Sequence, residues 1–300
     1  MSVVAVITRT KNRPLFLKRA IESVRAQVYQ DWIHVIVNDG GSREPVDELV
    51  RSFPKSYQEK CKTIHLPNSM GMEAASNQGI RAVESTYITV LDDDDSWDPQ
   101  FLMKTVHRLK EKRFPTIRGV VTFADRIVEK VEGEAIRRVS KTPFNHYLES
   151  IRLDQMAGEN FITTNSFLFE REAWNEIGPF DETLPVLGDW EFNLRFLSRY
   201  DIDLIEEPLS YFHHRSKEQQ GRFANSGVGG KKDHVFYSML IRNRLLRSDL
   251  SAGRFGLGSV LMLGWGFKDL CYRITHLRKS MLLPRVSRTA KTWVGKILSQ

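Results

Sequence analysis

Four short apolar runs alternate with amphipathic segments over the first 91 residues, and this alternation limits the chain to few folds. The runs have the length and β-branched content of buried strands, whereas the segments between them carry apolar residues at helical spacing. Strands that alternate with helices predict right-handed crossovers and a largely parallel sheet. We therefore predict an α/β fold, with strands at residues 3–8, 32–37, 63–66 and 87–91 and helices at 15–27, 44–53 and 73–83.

The composition is that of a soluble globular protein with a sizeable core. Of the 300 residues, 41% are hydrophobic and 27% are charged, which are ordinary values for this class. Two cysteines, Cys61 and Cys271, exclude a disulfide scaffold and fit a reducing compartment. The N-terminal apolar run is short and is followed, not preceded, by basic residues, unlike a secretory signal. No apolar stretch reaches the roughly 18 residues of a spanning helix, so we expect a cytoplasmic protein.

The positive charge is concentrated near the C-terminus. The whole chain carries +7, and residues 254–300 carry +8, with nine Lys or Arg residues and one acid, so the remainder is close to neutral. This distribution argues against a general nucleic-acid-binding surface. A basic segment interleaved with apolar residues can lie in the headgroup layer of an anionic membrane. The alternatives are a helical cap on the body of the protein or an oligomer interface.

Four consecutive aspartates, Asp92–Asp95, directly follow the predicted strand at residues 87–91. Four adjacent carboxylates repel one another, and hard divalent cations such as Mg²⁺ or Mn²⁺ prefer oxygen ligands of this kind. The alternative is a solvated acidic turn that caps the next helix, for which Ser96-Trp97-Asp98-Pro99 is a plausible start. The preceding strand favours a site for a metal and a diphosphate.

Polar side chains follow three of the predicted strands. Thr10 follows the first strand, Asp39 the second and the aspartate run the fourth. Ligands of open parallel sheets bind beyond the carboxyl ends of the strands, so we expect these residues to converge on one site. Asp39 also begins an Asp-Gly turn, and such turns are common for conformational reasons alone.

The second half of the chain has a more mixed pattern. Residues 134–143 are polar and predict a connecting hairpin or loop, and residues 217–230 are polar and glycine-rich, as in a mobile lid. The predicted helices are 101–112, 170–177, 189–200 and 231–247, and the predicted strands are 119–128, 161–169, 202–206 and 209–213.

Taken together, five motifs resemble those of the family 2 glycosyltransferases, which are inverting, sugar-nucleotide-dependent enzymes with the GT-A fold. The matching elements extend from Val3 to about Arg215, in the order and spacing of that family. They are the segment 6–14 (Val-Ile-Thr-Arg-Thr-Lys-Asn-Arg-Pro), 37–42 (Val-Asn-Asp-Gly-Gly-Ser), 77–80 (Asn-Gln-Gly-Ile), 91–95 (Leu-Asp-Asp-Asp-Asp) and 188–191 (Gly-Asp-Trp-Glu).

The resemblance implies a Rossmann-like, mostly parallel sheet and three regions of the chain. Residues 1–98 would form the nucleotide-sugar-binding half of a GT-A domain and residues 99–230 its acceptor-binding half. Residues 231–300 would form a basic amphipathic helical C-terminal extension. The implied reaction moves a sugar from a nucleoside-diphosphate donor, UDP in the family's usual case, to a hydroxyl acceptor, with Mn²⁺ or Mg²⁺ as cofactor.

For the donor, the resemblance implies that Asp39 accepts a hydrogen bond from the nucleobase and that Asp93 approaches the ribose. Arg9, Thr10 and Asn77 would complete the donor-binding set. Arg9 stands where the family usually has proline, and this departure leaves the identity of the nucleobase open.

For the metal, Asp92 and Asp94 match the family's D-x-D element, with Asp94 as the direct ligand and Asp92 beside it. His214 would be a further ligand, with His213 as the alternative, because family members often carry a histidine at this position. Either histidine could instead be a packed strand residue. Asp95 would cap the following helix.

For catalysis, Asp189 would act as the base that takes the proton of the acceptor hydroxyl. Asp189 also follows a loop and begins a predicted helix, so the alternative is a simple N-cap. Glu191 lies about 200° further around that helix, so we assign it to orienting the site or the acceptor. Asn165 would contact the acceptor or the donor sugar.

We therefore predict a metal-dependent inverting glycosyltransferase of surface polysaccharide or glycolipid assembly. Its acceptor would be a saccharide or a lipid-linked saccharide. Residues 254–300 would attach the enzyme to the inner face of the cytoplasmic membrane, and the sequence leaves the oligomeric state open. One alternative is a nucleotidyltransferase, which ordinarily has a glycine-rich loop after its first strand, whereas residues 8–13 contain no glycine. The other is a non-catalytic sugar-nucleotide-binding or scaffold protein.

Overall fold

The computed structural model of the chain describes residues 2–133, 135–215 and 231–274. Its sheet has the strand order β3-β2-β1-β4-β8-β6-β9-β5, and β7 pairs with β6 outside this path. The strands are β1 (Ser2–Thr10), β2 (Trp32–Asp39), β3 (Cys61–Leu66), β4 (Ser85–Val90), β5 (Ser96–Trp97), β6 (Ile117–Glu132), β7 (Ala135–Pro143), β8 (Phe167–Glu170) and β9 (Asp201–Arg215).

Helices connect and flank these strands. They are α1 (Pro14–Arg25), α2 (Glu44–Arg51), α3 (Lys55–Gln58), α4 (Met72–Arg81), α5 (Phe101–Lys110), α6 (Leu153–Gly158), α7 (Arg171–Ile177), α8 (Gly188–Leu197) and α9 (Lys231–Ser251). A short 3₁₀ turn spans Thr164–Ser166, and residues 257–274 are also helical. The predicted α/β class is confirmed.

The first four strands form the parallel part of the sheet. β1 lies between β2 and β4 and is parallel to both, and β2 is also parallel to β3. Residues 4–8 of β1 are all buried, because helices cover both faces of this central strand. On one face, a hydrophobic cluster joins β1 and α1 to α5 through residues such as Val6, Leu17 and Phe101.

Helix α4 covers the opposite face and approaches it closely. A Cβ atom on Gly79 would lie 2.6 Å from Ile7 Cγ2, so only glycine allows α4 to pack this near to β1. The same close packing brings the first turn of α4, with Glu73, to the carboxyl end of β1.

The structure corrects several details of the sequence prediction. Ser96 and Trp97, a plausible helix start in the sequence, form the short strand β5, antiparallel to β9, and the next helix begins at Phe101 as predicted. The hairpin alternative for residues 134–143 is confirmed, because residues 135–143 form strand β7 against β6. The two strands predicted at 202–206 and 209–213 are one strand, β9, whose register to β6 shifts beside Phe123.

The chain divides into two compact units. The first comprises residues 1–156 and 160–241, and the second comprises residues 157–159 and 242–300. The expected boundaries at 98/99 and 230/231 stay predictions. The predicted lid at 217–230 and the end of the basic tail, residues 275–300, lie outside the described residues. Over the described ranges, no helix is long and apolar enough to cross a membrane.

Candidate active site

The carboxyl ends of β1, β2 and β4 meet at one edge of the sheet. The register pairs Thr10 with Asn38 across β1 and β2, and Ile7 with Val90 across β1 and β4. The aspartate run leaves β4 at this edge, and Thr10 Oγ1 donates a hydrogen bond of 2.7 Å to Asp93 Oδ2. The predicted meeting of the first strand end with the acidic run is therefore present in the structure.

Arg9 joins the acidic run to helix α4. Its guanidinium donates to Asp92 Oδ1 from Nε and Nη2, at 2.9 and 2.5 Å, and to Glu73 Oε2 from Nη1 at 3.1 Å. Burial raises the pKa of Glu73 to about 7, although the charge of Arg9 opposes this shift. Glu73 was not among the predicted site residues, because its only signal in the sequence is a carboxylate in the first turn of a predicted helix.

Arg13 and Arg215 neutralise the two central aspartates. Arg13 donates to Asp93 Oδ2 at 3.1 Å and to Asp94 Oδ2 at 3.2 Å, and Arg215 contacts Asp94 Oδ2 at 2.6 Å. Both guanidiniums lie near the Phe16 ring, 5.7 and 5.0 Å from its centroid. Charges buried on one side by an aromatic ring interact more strongly than they would in water.

These contacts set the pKa values of the run. Burial raises the pKa of Asp93 to about 7 against the pull of Arg13. Burial would also raise the pKa of Asp94, but Arg13 and Arg215 outweigh it and hold this pKa below its ordinary value. Of the two central aspartates, Asp94 therefore has the lower pKa.

Asp95 does not cap the following helix, which corrects the prediction. Helix α5 has Gln100 at its N-cap position and no side-chain cap. Asp95 instead accepts a hydrogen bond of 2.9 Å from the backbone N–H of His213 on β9. Burial, with Asp94 beside it, raises the pKa of Asp95 well above its usual range.

Asp39 organises the loop that follows β3. Its carboxylate accepts hydrogen bonds from Ser69 Oγ at 2.7 Å, Met70 N at 2.6 Å and Gly71 N at 3.2 Å. The side chain therefore ties the end of β2 to the residues that lead into α4. Recognition of a nucleobase by Asp39 stays a prediction.

Asn77 fixes the loop before α8. Its amide donates to Phe180 O at 2.9 Å and to Glu182 Oε1 at 2.8 Å, and it accepts from Phe180 N at 3.0 Å. These contacts connect α4 to the segment that leads to Asp189. The structure gives Asn77 a positioning role, and direct contact with the donor stays a prediction.

Asp189 lies in the first turn of α8, held at both oxygens. Oδ1 accepts from the Trp190 backbone N–H at 2.8 Å, and Oδ2 accepts from Asn160 Nδ2 at 2.8 Å. The N-cap of α8 is Leu187, and no side chain caps the helix, so the N-cap alternative for Asp189 is wrong. Burial raises the pKa of Asp189, which is the direction that a base for neutral pH needs.

Asp189 lies among the charged groups of the strand ends. The charge of Arg9 lowers its pKa and that of Asp92 raises it, and Asp189 in turn raises the pKa of Glu73. The preceding residue, Gly188, packs directly on this glutamate, because an added Cβ would lie 2.2 Å from Glu73 Oε1. Three carboxylates from three elements therefore surround one arginine.

Glu191 faces away from this cluster and supports it. It is 4% exposed and pairs with Arg195, which also donates to Ile177 O at 2.6 Å and to Pro179 O at 2.8 Å. Glu191 thus helps to fix the loop that Asn77 holds from the other side. Its direct contact with an acceptor stays a prediction.

Asn165 and the two histidines lie near β9. Asn165 Nδ2 donates to Tyr211 O at 3.0 Å, while its buried Oδ1 has no hydrogen-bond partner among the described residues. His214 packs beside Phe212, with ring centroids 6.1 Å apart, and burial lowers its pKa. His213 faces Ser96 and Glu129 instead.

The donor chemistry of the acidic run fits a divalent cation. Within residues 2–133, 135–215 and 231–274, no three His, Cys, Asp or Glu side chains are arranged to hold a metal, so His214 is not grouped with Asp92 and Asp94. Mg²⁺, however, commonly takes only one or two protein carboxylates and fills its other positions with water and substrate phosphates. The side chain of Asp92 is 27% exposed, so this carboxylate reaches the surface at the edge of the sheet even though Arg9 binds its Oδ1.

The sheet, its strand-end site and the acidic run are those of a glycosyltransferase of the GT-A fold. The model of Glycosyl transferase family 2 matches residues 5–178, more than half of the chain, and the chain belongs to this family. Membership in this family favours a glycosyltransferase over the nucleotidyltransferase and scaffold alternatives.

Relatives agree with this membership. The chain is 27% identical over 228 residues to a glycosyltransferase of Rickettsia felis, covering 74% of this chain and 36% of the relative. It is 24% identical over 192 residues to the succinoglycan biosynthesis protein ExoW of Rhizobium meliloti, covering 61% of this chain and 59% of the relative. A 27% identical protein of Sinorhizobium fredii is spanned over only 19% of its length. The chain thus spans less than two thirds of these relatives.

Solved structures share the fold. Residues 1–349 of S. aureus TarS, in complex with UDP-GlcNAc, superpose with a TM-score of 0.57 at 16% identity, over 81% of this chain and 66% of that one. The mannosyltransferase PcManGT from Pyrobaculum calidifontis, in complex with GDP-Man and Mn²⁺, gives 0.54 at 13% identity, over 89% and 80%. At these identities the likeness shows the fold alone.

Proposed function

We propose that this glycosyltransferase moves a sugar from a nucleoside-diphosphate donor to a hydroxyl acceptor, with inversion at the anomeric carbon. We propose UDP as the nucleotide of this donor. One observation carries the proposal. Asp189, whose pKa burial raises, lies in the same charged cluster as Arg9 and Asp92 at the strand ends where a donor would bind. A base beside the donor site is what direct displacement by an alcohol requires.

Asp189 would act without a covalent intermediate. The acceptor oxygen would bond to the anomeric carbon while the bond from that carbon to the diphosphate oxygen breaks, and the hydroxyl proton would pass to the Asp189 carboxylate. The contacts from Trp190 N and Asn160 hold this carboxylate in one orientation. Such pre-orientation lowers the entropic cost of reaching the transition state.

Asp92 and Asp94 would hold Mn²⁺ or Mg²⁺ together with the donor diphosphate in this proposal. The bound ion would stabilise the negative charge of the departing nucleoside diphosphate. The Mn²⁺ in PcManGT and the UDP-GlcNAc in TarS support these assignments by analogy of fold. Arg9 and Arg13 add fixed positive charge at the same edge of the sheet.

We also propose that the acceptor is a saccharide or lipid-linked saccharide of surface polysaccharide assembly. The name of the succinoglycan relative supports this setting. Helix 257–274 exposes several large apolar side chains, among them Trp265, Phe267 and Leu270, beside Lys268 and Arg273. Such a surface can bind an anionic membrane, and vesicle sedimentation of the full chain and of a chain ending at residue 253 tests this.

The central test is Asp189→Asn, assayed with a panel of UDP- and GDP-sugars and Mn²⁺. Loss of the base should lower kcat by about 10²–10⁴-fold, the usual contribution of general base catalysis, while donor affinity stays within a few-fold. Asp201→Asn, an exposed aspartate at the start of β9, is the matched control and should retain full activity. EDTA should abolish the turnover of both variants, and added Mn²⁺ should restore the turnover of Asp201→Asn.

Each contrary result has a defined meaning. Full activity of Asp189→Asn would remove this residue as the base. Loss of donor affinity equal to the loss of turnover would make it a binding residue. Turnover that survives EDTA unchanged would remove the metal from the proposal and leave the arginines as its electrostatic machinery.

A further inference from the structure

A cavity outside the candidate active site lies between α1, the β6–β7 hairpin and β9. Its volume is about 640 Å³, within the range of small-molecule pockets. Its lining contains four cationic side chains and two carboxylates, namely Lys18, Arg19, Arg138, Lys141, Glu22 and Glu129. Apart from His213, the alternative metal ligand, none of its lining residues was assigned to donor, metal or catalysis.

Two side chains that line this cavity, Glu129 and Arg19, each have one buried polar atom without a hydrogen-bond partner among the described residues. Glu129, whose side chain is 2% exposed, uses Oε2 to accept from Arg19 Nη1 at 2.8 Å and to face His213 Nδ1 at 2.9 Å. Glu129 Oε1 and Arg19 Nε have no hydrogen-bond partner in the described part of the chain. One acceptor and one donor on neighbouring side chains are satisfied together by a hydroxyl group, which both donates and accepts.

Two elements that line the cavity add positive charge to it. Lys18 is on α1 and Arg138 is on β7, and both are exposed. Across residues 2–133, 135–215 and 231–274, no carboxylate forms an ion pair with either of them. Lys141 is already paired with Asp125 at 2.7 Å, so Lys18 and Arg138 are the cations available to a ligand. Two such cations lining one cavity favour an anionic phosphate group as its ligand.

We propose that this cavity binds a small phosphorylated polyol, with its phosphate between Lys18 and Arg138 and a hydroxyl on Glu129 and Arg19. A ligand of this class has a phosphate for the two cations, Lys18 and Arg138, and a hydroxyl for the two atoms of Glu129 and Arg19. It occurs as a free sugar or glycerol phosphate and as the headgroup of a phospholipid. The proposal is independent of the reaction proposed above.

The cavity is also connected to the acidic run. Arg19 donates from Nη2 to the backbone carbonyl of Asp94, and His213 joins Glu129 to Ser96 through a second hydrogen bond of 2.8 Å from Nε2. A ligand that draws Arg19 into the cavity changes a contact of the Asp94 backbone. Binding in the cavity would therefore act on the loop that carries the acidic run through Arg19.

Calorimetric titration of the full chain tests the proposal with sn-glycerol 3-phosphate and, as a matched probe without hydroxyls, methyl phosphate. We expect one saturable site for sn-glycerol 3-phosphate and at least fivefold weaker binding of methyl phosphate. The double variant Lys18→Gln/Arg138→Gln should weaken sn-glycerol 3-phosphate by at least tenfold. Arg137→Gln, which removes the same charge from the neighbouring position of β7, should change it less than twofold.

Vesicles separate the two sources of the ligand. If only phosphatidylglycerol vesicles bind, and the double variant weakens this binding while Arg137→Gln does not, the ligand is a lipid headgroup. Equal binding of the two soluble probes would overturn the assignment of a polyol. Absence of binding in both arms, or equal loss in both variants, would overturn the site. Thermal melts of all variants check that these exposed substitutions leave the fold intact.

Discussion

His34 makes the stability of the fold depend on pH in a direction that can be calculated. It lies at the centre of β2, fully buried, with Nε2 2.8 Å from Thr8 Oγ1 and Nδ1 2.8 Å from Tyr57 Oη. These contacts join β1, β2 and α3 directly below the strand ends that form the candidate site. Burial lowers the pKa of His34 to about 3.

The sign follows from the proton count. In the unfolded chain the pKa of histidine is about 6.5, so below that pH the unfolded state binds a proton that the folded state excludes. The contribution of neutral His34 to stability is therefore fully present above about pH 6.5 and is lost as the pH falls toward 3. The slope is about 1.4 kcal/mol per pH unit, which gives a loss of about 2 kcal/mol between pH 7 and pH 5.

Urea unfolding at pH 7 and pH 5 measures this loss against the neutral variant His34→Gln. The parent chain should lose about 2 kcal/mol more than the variant over this interval. His107→Gln, at an exposed position of α5, is the control and should keep the pH dependence of the parent. If His34→Gln loses as much free energy of unfolding as the parent, within about 0.5 kcal/mol, His34 does not exclude a proton in the folded state.

Two further perturbations test other parts of the molecule. Gly188→Ala places a Cβ atom 2.2 Å from Glu73 Oε1, so the Glu73 side chain must move and lose its contact with Arg9. We expect the free energy of unfolding in urea to fall by about 1–3 kcal/mol and the transferase activity to decrease. Gly266→Ala, with no atom within 4 Å of its Cβ, should cause no loss, and equal stability of the two variants would refute the steric argument. Removal of residues 254–300 should weaken sedimentation with anionic vesicles, because it removes the exposed apolar and basic side chains of helix 257–274; unchanged binding would contradict a membrane role for the tail.

The parallel half of the sheet could be predicted from sequence because its signals are local. The run predicted at 32–37 became Trp32–Asp39, and that at 87–91 became Ser85–Val90. A strand that is buried on both faces of a sheet needs a continuous run of apolar residues. Such a run can be recognised without knowledge of any distant residue. The order of motifs then led to the right family, whose model matches residues 5–178.

The second half was harder because long-range pairing overrides local preference. Pro208 separates two apolar runs, which predicts two strands, yet β9 continues through this point because its register to β6 shifts at Phe123. Ser96 and Trp97 carry a helix-start pattern, but they pair with Tyr211 and Ser210 of β9. In both cases the deciding partner is more than 80 residues away along the chain.

The acidic run shows why a site cannot be derived from one motif. Repulsion among four aspartates requires positive charge, and from the sequence alone we assigned that charge to a metal. The structure supplies arginines from distant positions: Arg9 contacts Asp92, Arg13 contacts Asp93 and Arg215 contacts Asp94. Arg13 and Arg215 are ordinary charged residues in the sequence, and Arg9 was assigned to the donor, because only folding brings them to the acidic run. A metal is therefore supported by the partly exposed carboxylate of Asp92 and by the fold, and the EDTA experiment tests the metal separately from the base.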